Sequence, residues 1–128
     1  MGRRHRSAAE GRSASRRKAE RRGHLSEYVA ALYLLLKGYR ILAIRHRTRL
    51  GEVDIVARKG NVLAFVEVKA RRSEQAGIDA VGFDSQRRIR AASDLWLARH
   101  GNLATLSQRY DVIVVVPRRW PRHFPDAF

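Results

Sequence analysis

The chain contains no cysteine, which rules out a disulfide framework and any thiolate metal site. That composition fits a reducing compartment, the cytoplasm. The five histidines (His5, His24, His46, His100, His123) show no metal-ligand spacing, so zinc is not expected. No apolar run approaches the roughly 20 residues needed to cross a bilayer. The longest, Tyr28 to Leu36, is too short, and no membrane role is expected. Internal repeats are absent. Acidic residues are scarce, with 12 against 27 basic ones, a formal charge of +15.

What is present fits one compact domain: 128 residues, 45% of them hydrophobic, enough to bury a core. A field of +15 attracts polyanions, and nucleic acid is the obvious one. The plainer alternatives are a solvated basic surface or an arginine-rich codon bias. Residues 1–22 hold nine basic residues (Arg3, Arg4, Arg6, Arg12, Arg16, Arg17, Lys18, Arg21, Arg22) and the acids Glu10 and Glu20, a net +7 that leaves +8 for residues 23–128. With no large apolar residue after Met1, this stretch is expected to be a disordered basic tail that adds non-specific affinity for nucleic acid. A transit peptide is the weaker alternative, because no Leu or Phe face is present.

The folded part is expected over 23–117, with 118–128 as an irregular C-terminal tail or edge cover. Leu25, Tyr28, Val29, Leu32, Leu35 and Leu36 recur at helical spacing, and Gly38 stands where a left-handed cap belongs, which predicts a helix over 24–37. Tyr39 to Ile44 reads as a short strand. Residues 52–58 alternate as a strand, and Val62 to Ala70 is apolar on both faces, as a central strand should be. Lys59-Gly60-Asn61 between them signals a tight hairpin. Gly77 to Phe83 reads as loop or brief helix. A helix follows from about Ser85 to His100, with Asp84 or Ser85 as N-cap and Gly101 as stop. Tyr110 to Val116 is a last buried strand before Pro117. The order α-β-β-β-α-β, closed by a helical crossover, favours a parallel last strand in a mixed sheet flanked by helices, near the three-layer α/β class.

The hairpin carries the chemistry. Glu67 and Lys69, two apart on one strand, leave the same face. A two-residue turn at Gly60-Asn61 sets Asp54 directly opposite Glu67. A turn at Lys59-Gly60 sets Glu52 opposite and makes Asp54 the diagonal neighbour. Either register gathers two carboxylates and a lysine on one patch. Carboxylates held so close need a proton or cation between them. Their hard oxygens suit Mg²⁺ or Mn²⁺, which polarises a phosphate and lowers the pKa of a bound water. Lys69 would orient that water or stabilise charge on the phosphorane, and the carbonyl of Val68 is a candidate third ligand. A bare E-x-K is usually a surface ion pair. Here FVEVKA is too apolar for a sheet edge, and Asp54 arrives at the matching hairpin position.

GEVDIVA at 51–57 with FVEVKARR at 65–72 resembles the PD-(D/E)XK nuclease superfamily, and more closely the YraN-type family of small bacterial proteins, related to archaeal Holliday-junction resolvases. The resemblance runs from about Gly23 to Val116. It implies a restriction-endonuclease-like α/β core in which Asp54 is the first acid, Glu67 the second and Lys69 the lysine. Glu27, in the first helix, matches an acid that similar nucleases bring to a metal or its waters. It implies catalytic Glu27, Asp54, Glu67 and Lys69, with metal ligands Asp54, Glu67, Val68 and Glu27. The motif's proline is replaced by Val53. Where the family often has a lysine at the start of the second long helix, this chain has Ser85 and Gln86; Gln86, Arg87, Arg88 and Arg90, with Arg71 and Arg72, are the candidates for nucleic-acid contact. Glu52 is a candidate outside the ligand set. Resolvase-like relatives act as dimers, which makes a homodimer an expectation.

Two functions follow: a metal-dependent DNA endonuclease, with branched DNA a candidate substrate, or a module that keeps the nuclease-like fold and binds nucleic acid without cutting. The intact acid set favours the endonuclease, since a pure binder gains nothing from acids clustered near a polyanion. An accessory protein of the translation or envelope machinery fits the charge poorly.

Overall fold

The computed structural model describes residues 24–128; the stretch expected to be a basic tail lies outside them. Helix α1 covers 24–36 and ends on Gly38, whose φ of 91° is open to glycine and costly to other residues. The Tyr39 amide donates to the Leu34 carbonyl and the Gly38 amide to that of Leu35, the paired bonds of a Schellman cap. Tyr39 and Leu34 share one core cluster, which supplies the apolar contact such a cap favours.

The chain then runs through β1 (Arg40–Arg47), β2 (Glu52–Lys59), β3 (Val62–Ala70), α2 (Glu74–Asp79), α3 (Phe83–Arg99), a 3₁₀ turn (Gly101–Leu103), β4 (Ser107–Val115) and β5 (Arg122–Phe124). The five strands form one mixed sheet in sequence order, with only β3 and β4 parallel. The expected core order is present and β3 is central, with α2 and β5 added. In the β2–β3 hairpin, Lys59 faces Val62 and Ile55 faces Val66, the register of a turn at Gly60-Asn61. Gly60, at φ 59°, takes the first turn position.

The elements differ from expectation mainly at their ends. β1 runs on to Arg47 because the hairpin with β2 continues as far as Arg47 opposite Glu52. α3 does not start from a cap at Asp84 or Ser85. Gly82, in extended backbone, is the cap residue, and Asp84 sits inside the first turn, where its charge meets the positive end of the helix dipole. At its other end α3 stops at Arg99 on a His100 cap, and Gly101 opens the 3₁₀ turn.

Two core clusters lie on opposite faces of the sheet. Ala30, Ala31 and Leu34 of α1 pack on Ile55, Ala57, Ala64 and Val66. Ile89, Ala92 and Trp96 of α3 pack on Val53, Val56, Leu63 and Phe65. The result is the three-layer α/β arrangement of a restriction-endonuclease-like core. α3 reaches the start of β2 closely: a Cβ on Gly51 would lie 2.2 Å from the Arg88 carbonyl oxygen, so only glycine fits there.

The C-terminal residues 118–128 hold β5, which pairs antiparallel with β4. A buried polar network ties this edge down. The Asp111 carboxylate, fully buried, accepts two hydrogen bonds from Arg109 at 2.8 Å, one from the His123 Nε2 at 2.7 Å and one from the Asp126 amide at 3.0 Å. Lys37 Nζ lies 2.6 Å from His123 Nδ1. An ammonium can only donate, so Nδ1 accepts and the Nε2 proton goes to Asp111.

Candidate metal centre

The β2–β3 ladder stops at Ile55–Val66, and the site begins where it stops. One step further along the same register stand Asp54 and Glu67. Instead of another backbone bond, the Asp54 Oδ2 accepts the Val68 amide proton at 2.8 Å. Asp54 and Glu67 are both buried, on strands whose remaining residues commit them to the core. Lys69 Nζ lies 3.0 Å from Glu67 Oε1.

Glu27 enters from α1, on the same arc as Ala30, Ala31 and Leu34 that packs on the sheet, and is itself buried. Its Oε2 lies 2.6 Å from Arg45 Nε, too poorly aligned for a hydrogen bond, so both buried atoms have ionic but no hydrogen-bonded partners. Arg45 holds this position from a left-handed backbone, φ 54°, and also donates to the Tyr28 hydroxyl at 3.1 Å.

Electrostatics follow from the crowding. Burial, then the Glu67 charge, push the Asp54 carboxyl up to about 8, against the pull of the Val68 amide. Burial also raises Glu67, opposed by Lys69, and raises Glu27, opposed by Arg45. Carboxyls lifted this way are poised to trade a proton for a cation. Ligand atoms of Glu27, Glu52 and Asp54 all lie within 4.8 Å of one another, a triad that could hold a metal ion. The hard oxygen donors fit such an ion, and the Glu27 oxygen accepts no hydrogen bond that an ion would have to displace, although Arg45 is its ionic partner.

The structure therefore gathers Glu27, Asp54, Glu67 and Lys69 and draws Glu52 into the same cluster, nearer than its expected place outside the ligand set. Glu67 stands outside the triad, held by Lys69. Val68 meets Asp54 through its amide. Arg71 and Arg72 are exposed just past the end of β3, and Arg87 and Arg88 are exposed on the first turns of α3. Arg87 leans on Asp84 at 3.3 Å, and Gln86 donates weakly to the Val81 carbonyl at 3.4 Å. Arg90 is exposed on the next turn of α3, its guanidinium 4.6 Å from the Tyr110 ring centroid and 5.5 Å from that of Phe128. Arg45 is the site residue that sequence reasoning passes over, since nothing in the local pattern marks a strand arginine that turns to meet a helix carboxylate.

A restriction-endonuclease-like α/β core with buried, clustered carboxylates beside a lysine defines the class of this protein. Residues 26–115 match the uncharacterised protein family UPF0102. A UPF0102 protein of Rhizobium etli (strain CIAT 652) is 70% identical over 117 residues, covering 91% of this chain and 96% of that protein. Relatives in Agrobacterium fabrum (64% over 121 residues, 94% of this chain and 99% of the relative) and Mesorhizobium japonicum (57% over 120 residues, 94% and 96%) carry the same family description. The chain belongs to UPF0102. No helix among the described residues is long and apolar enough to cross a membrane.

Proposed function

We propose that this chain is a divalent-metal-dependent DNA endonuclease of the PD-(D/E)XK superfamily, acting in the cytoplasm and taking branched DNA among its substrates. The observation that carries the reading is the placement of Asp54: its carboxyl ends the β2–β3 ladder on the Val68 amide, in the same cluster as Glu27, Glu52 and Glu67. In this reading Glu27, Glu52 and Asp54 would hold Mg²⁺ or Mn²⁺, with Glu67, next to Asp54, and the Val68 carbonyl as further donors. A bound ion supplies Lewis acidity toward the scissile phosphate and acidifies a coordinated water. Lys69, oriented by Glu67 at 3.0 Å, points a fixed positive charge at the place where negative charge builds on phosphorus. Arg71, Arg72, Arg87 and Arg88, together with the basic residues of 1–22, hold the phosphate backbone. Gln86 is a weaker contact of the same kind.

Glu67→Ala and Lys69→Ala test the division of labour between binding and chemistry. Each should reduce cleavage of branched or linear DNA in Mg²⁺ or Mn²⁺ by about 100-fold or more, the scale on which loss of one such group acts. Binding of the same DNA at fixed salt should barely change, because Lys69 is one of 27 basic side chains. A parent protein that cuts none of these substrates in either metal overturns the endonuclease and leaves a nucleic-acid-binding module with a nuclease-like fold.

A further inference from the structure

Helix α1 is apolar on two opposite arcs, interrupted on the inner side by Ser26 and Glu27. One arc, with Ala30, Ala31 and Leu34, packs on the sheet. The opposite arc is a stripe of Leu25, Tyr28, Val29, Leu32, Leu35 and Leu36, each between 37% and 69% exposed. Trp120, 77% exposed, stands beside it and closes a groove of about 370 Å³ against Leu32 and Leu36. A helix ordinarily buries each apolar arc that it carries. This one is covered on one side only.

We propose that the outer face of α1, together with Trp120, is a homodimer interface on which α1 of a second copy packs across a two-fold axis. Extent is the first argument. At roughly 150–250 Å² for a large side chain, the stripe and Trp120 expose on the order of 800 Å². That is about what each partner contributes to a stable interface, and more than the few hundred Å² that monomers usually leave open.

Spacing is the second. Leu25, Val29, Leu32 and Leu36 follow one another at intervals of four, three and four, the seam that packs helix against helix. A stripe that meets its own copy needs no second complementary surface; within 24–36 the only ionisable residues other than Tyr are His24 and the inward Glu27, and the cations of this face, Arg118 and Arg119, lie at its edge beside Trp120. Other occupants fit less well. Residues 2–22 contain no large apolar side chain with which to cover the stripe. A membrane-surface helix would carry Lys or Arg along its polar side, and 24–36 carries neither. The inference is independent of the nuclease reading.

Sedimentation of the full chain at raised salt, where the charge is screened, tests it. Across roughly 10–100 µM, above the micromolar weak end of the affinities that interfaces of this size reach, the expected mass is twice 14.7 kDa. The Leu32→Glu, Leu36→Lys double variant should sediment at 14.7 kDa with the parent's circular dichroism. Should the double variant fail to fold, the parent alone decides by acrylamide quenching. Trp120 becomes more accessible on dilution if the dimer exists, whereas Trp96, 3% exposed, does not change. A parent of 14.7 kDa throughout, or a folded double variant that stays dimeric, overturns the proposal. So does a monomeric parent that co-sediments with anionic vesicles, which would assign the face to lipid.

Discussion

At the scale of single residues, the centre is governed by one carboxyl. Asp54 is pushed up to about 8 by burial and by its neighbour Glu67, so at neutral pH in the absence of metal it is mostly protonated. A cation must displace that proton, which links metal affinity to pH. Mn²⁺ binding should therefore tighten as pH rises from 6 to 8 and level off above it, with proton release that makes the measured enthalpy depend on the buffer's own ionisation. Without metal the sign reverses. The folded state holds a proton that the unfolded state has lost above about pH 4, so this group makes the protein less stable as pH climbs from about 4 toward 8. Titration calorimetry of the parent and Asp54→Ala checks the binding half, and urea denaturation of the two metal-free proteins across about pH 4 to 8 checks the stability half. If Asp54→Ala binds Mn²⁺ as the parent does with the same pH profile, Asp54 is not a ligand.

Among the elements, strands β1 to β4 and the two long helices were legible because their patterns are local. The Gly60-Asn61 turn sets the hairpin register, and with it the placement of Asp54 next to Glu67. Glu27 was suggested by the resemblance alone; its helical neighbours Ala30, Ala31 and Leu34 lie on the arc that packs on the sheet and carry it there. Other features depend on contacts far apart in sequence. The Arg45–Glu27 pair depends on a left-handed strand residue, and the position of Arg90 over the Tyr110 and Phe128 rings depends on where the C-terminus returns. β5 is the clearest case: RHF has no strand signature and forms because Asp111 draws His123 and the Asp126 amide onto β4. Burial alone would raise the Asp111 carboxyl, but hydrogen bonds from His123, Arg109 and the Asp126 amide outweigh it and hold the group down to about 2. That contribution is complete above about pH 4 and is lost as pH falls toward 2. Asp111→Asn should cost about 3–5 kcal/mol at neutral pH, the range for breaking a buried charge pair, measured by urea denaturation. It should also flatten the parent's loss of stability between pH 4 and 2. A cost below about 1 kcal/mol would mean that the network does not hold the C-terminal edge.

For the whole molecule, the distribution of charge separates affinity from chemistry. Four of the 12 acids, Glu27, Glu52, Asp54 and Glu67, gather at the candidate metal centre, whereas the basic residues are dispersed, nine of them within residues 1–22. If that stretch contacts the phosphate backbone, its contribution is non-specific and appears chiefly in salt dependence. Each phosphate neutralised adds about −0.9 to the slope of log affinity against log salt, through release of condensed counterions. Nine basic residues offset by Glu10 and Glu20 leave a net +7, so deleting 1–22 removes nearly half of the +15 available for such contacts. The truncated protein should bind duplex DNA more weakly at low salt, with a slope shallower by several units, and the two proteins should converge as salt rises. If the proposed endonuclease activity holds, cleavage at saturating protein should stay within about twofold, because Asp54, Glu67 and Lys69 are untouched. Binding isotherms at four or five salt concentrations, paired with single-turnover cleavage at saturating protein, separate the two effects. An unchanged slope would show that 1–22 does not reach the backbone. An unchanged slope with lost cleavage would instead make the stretch part of the catalytic unit.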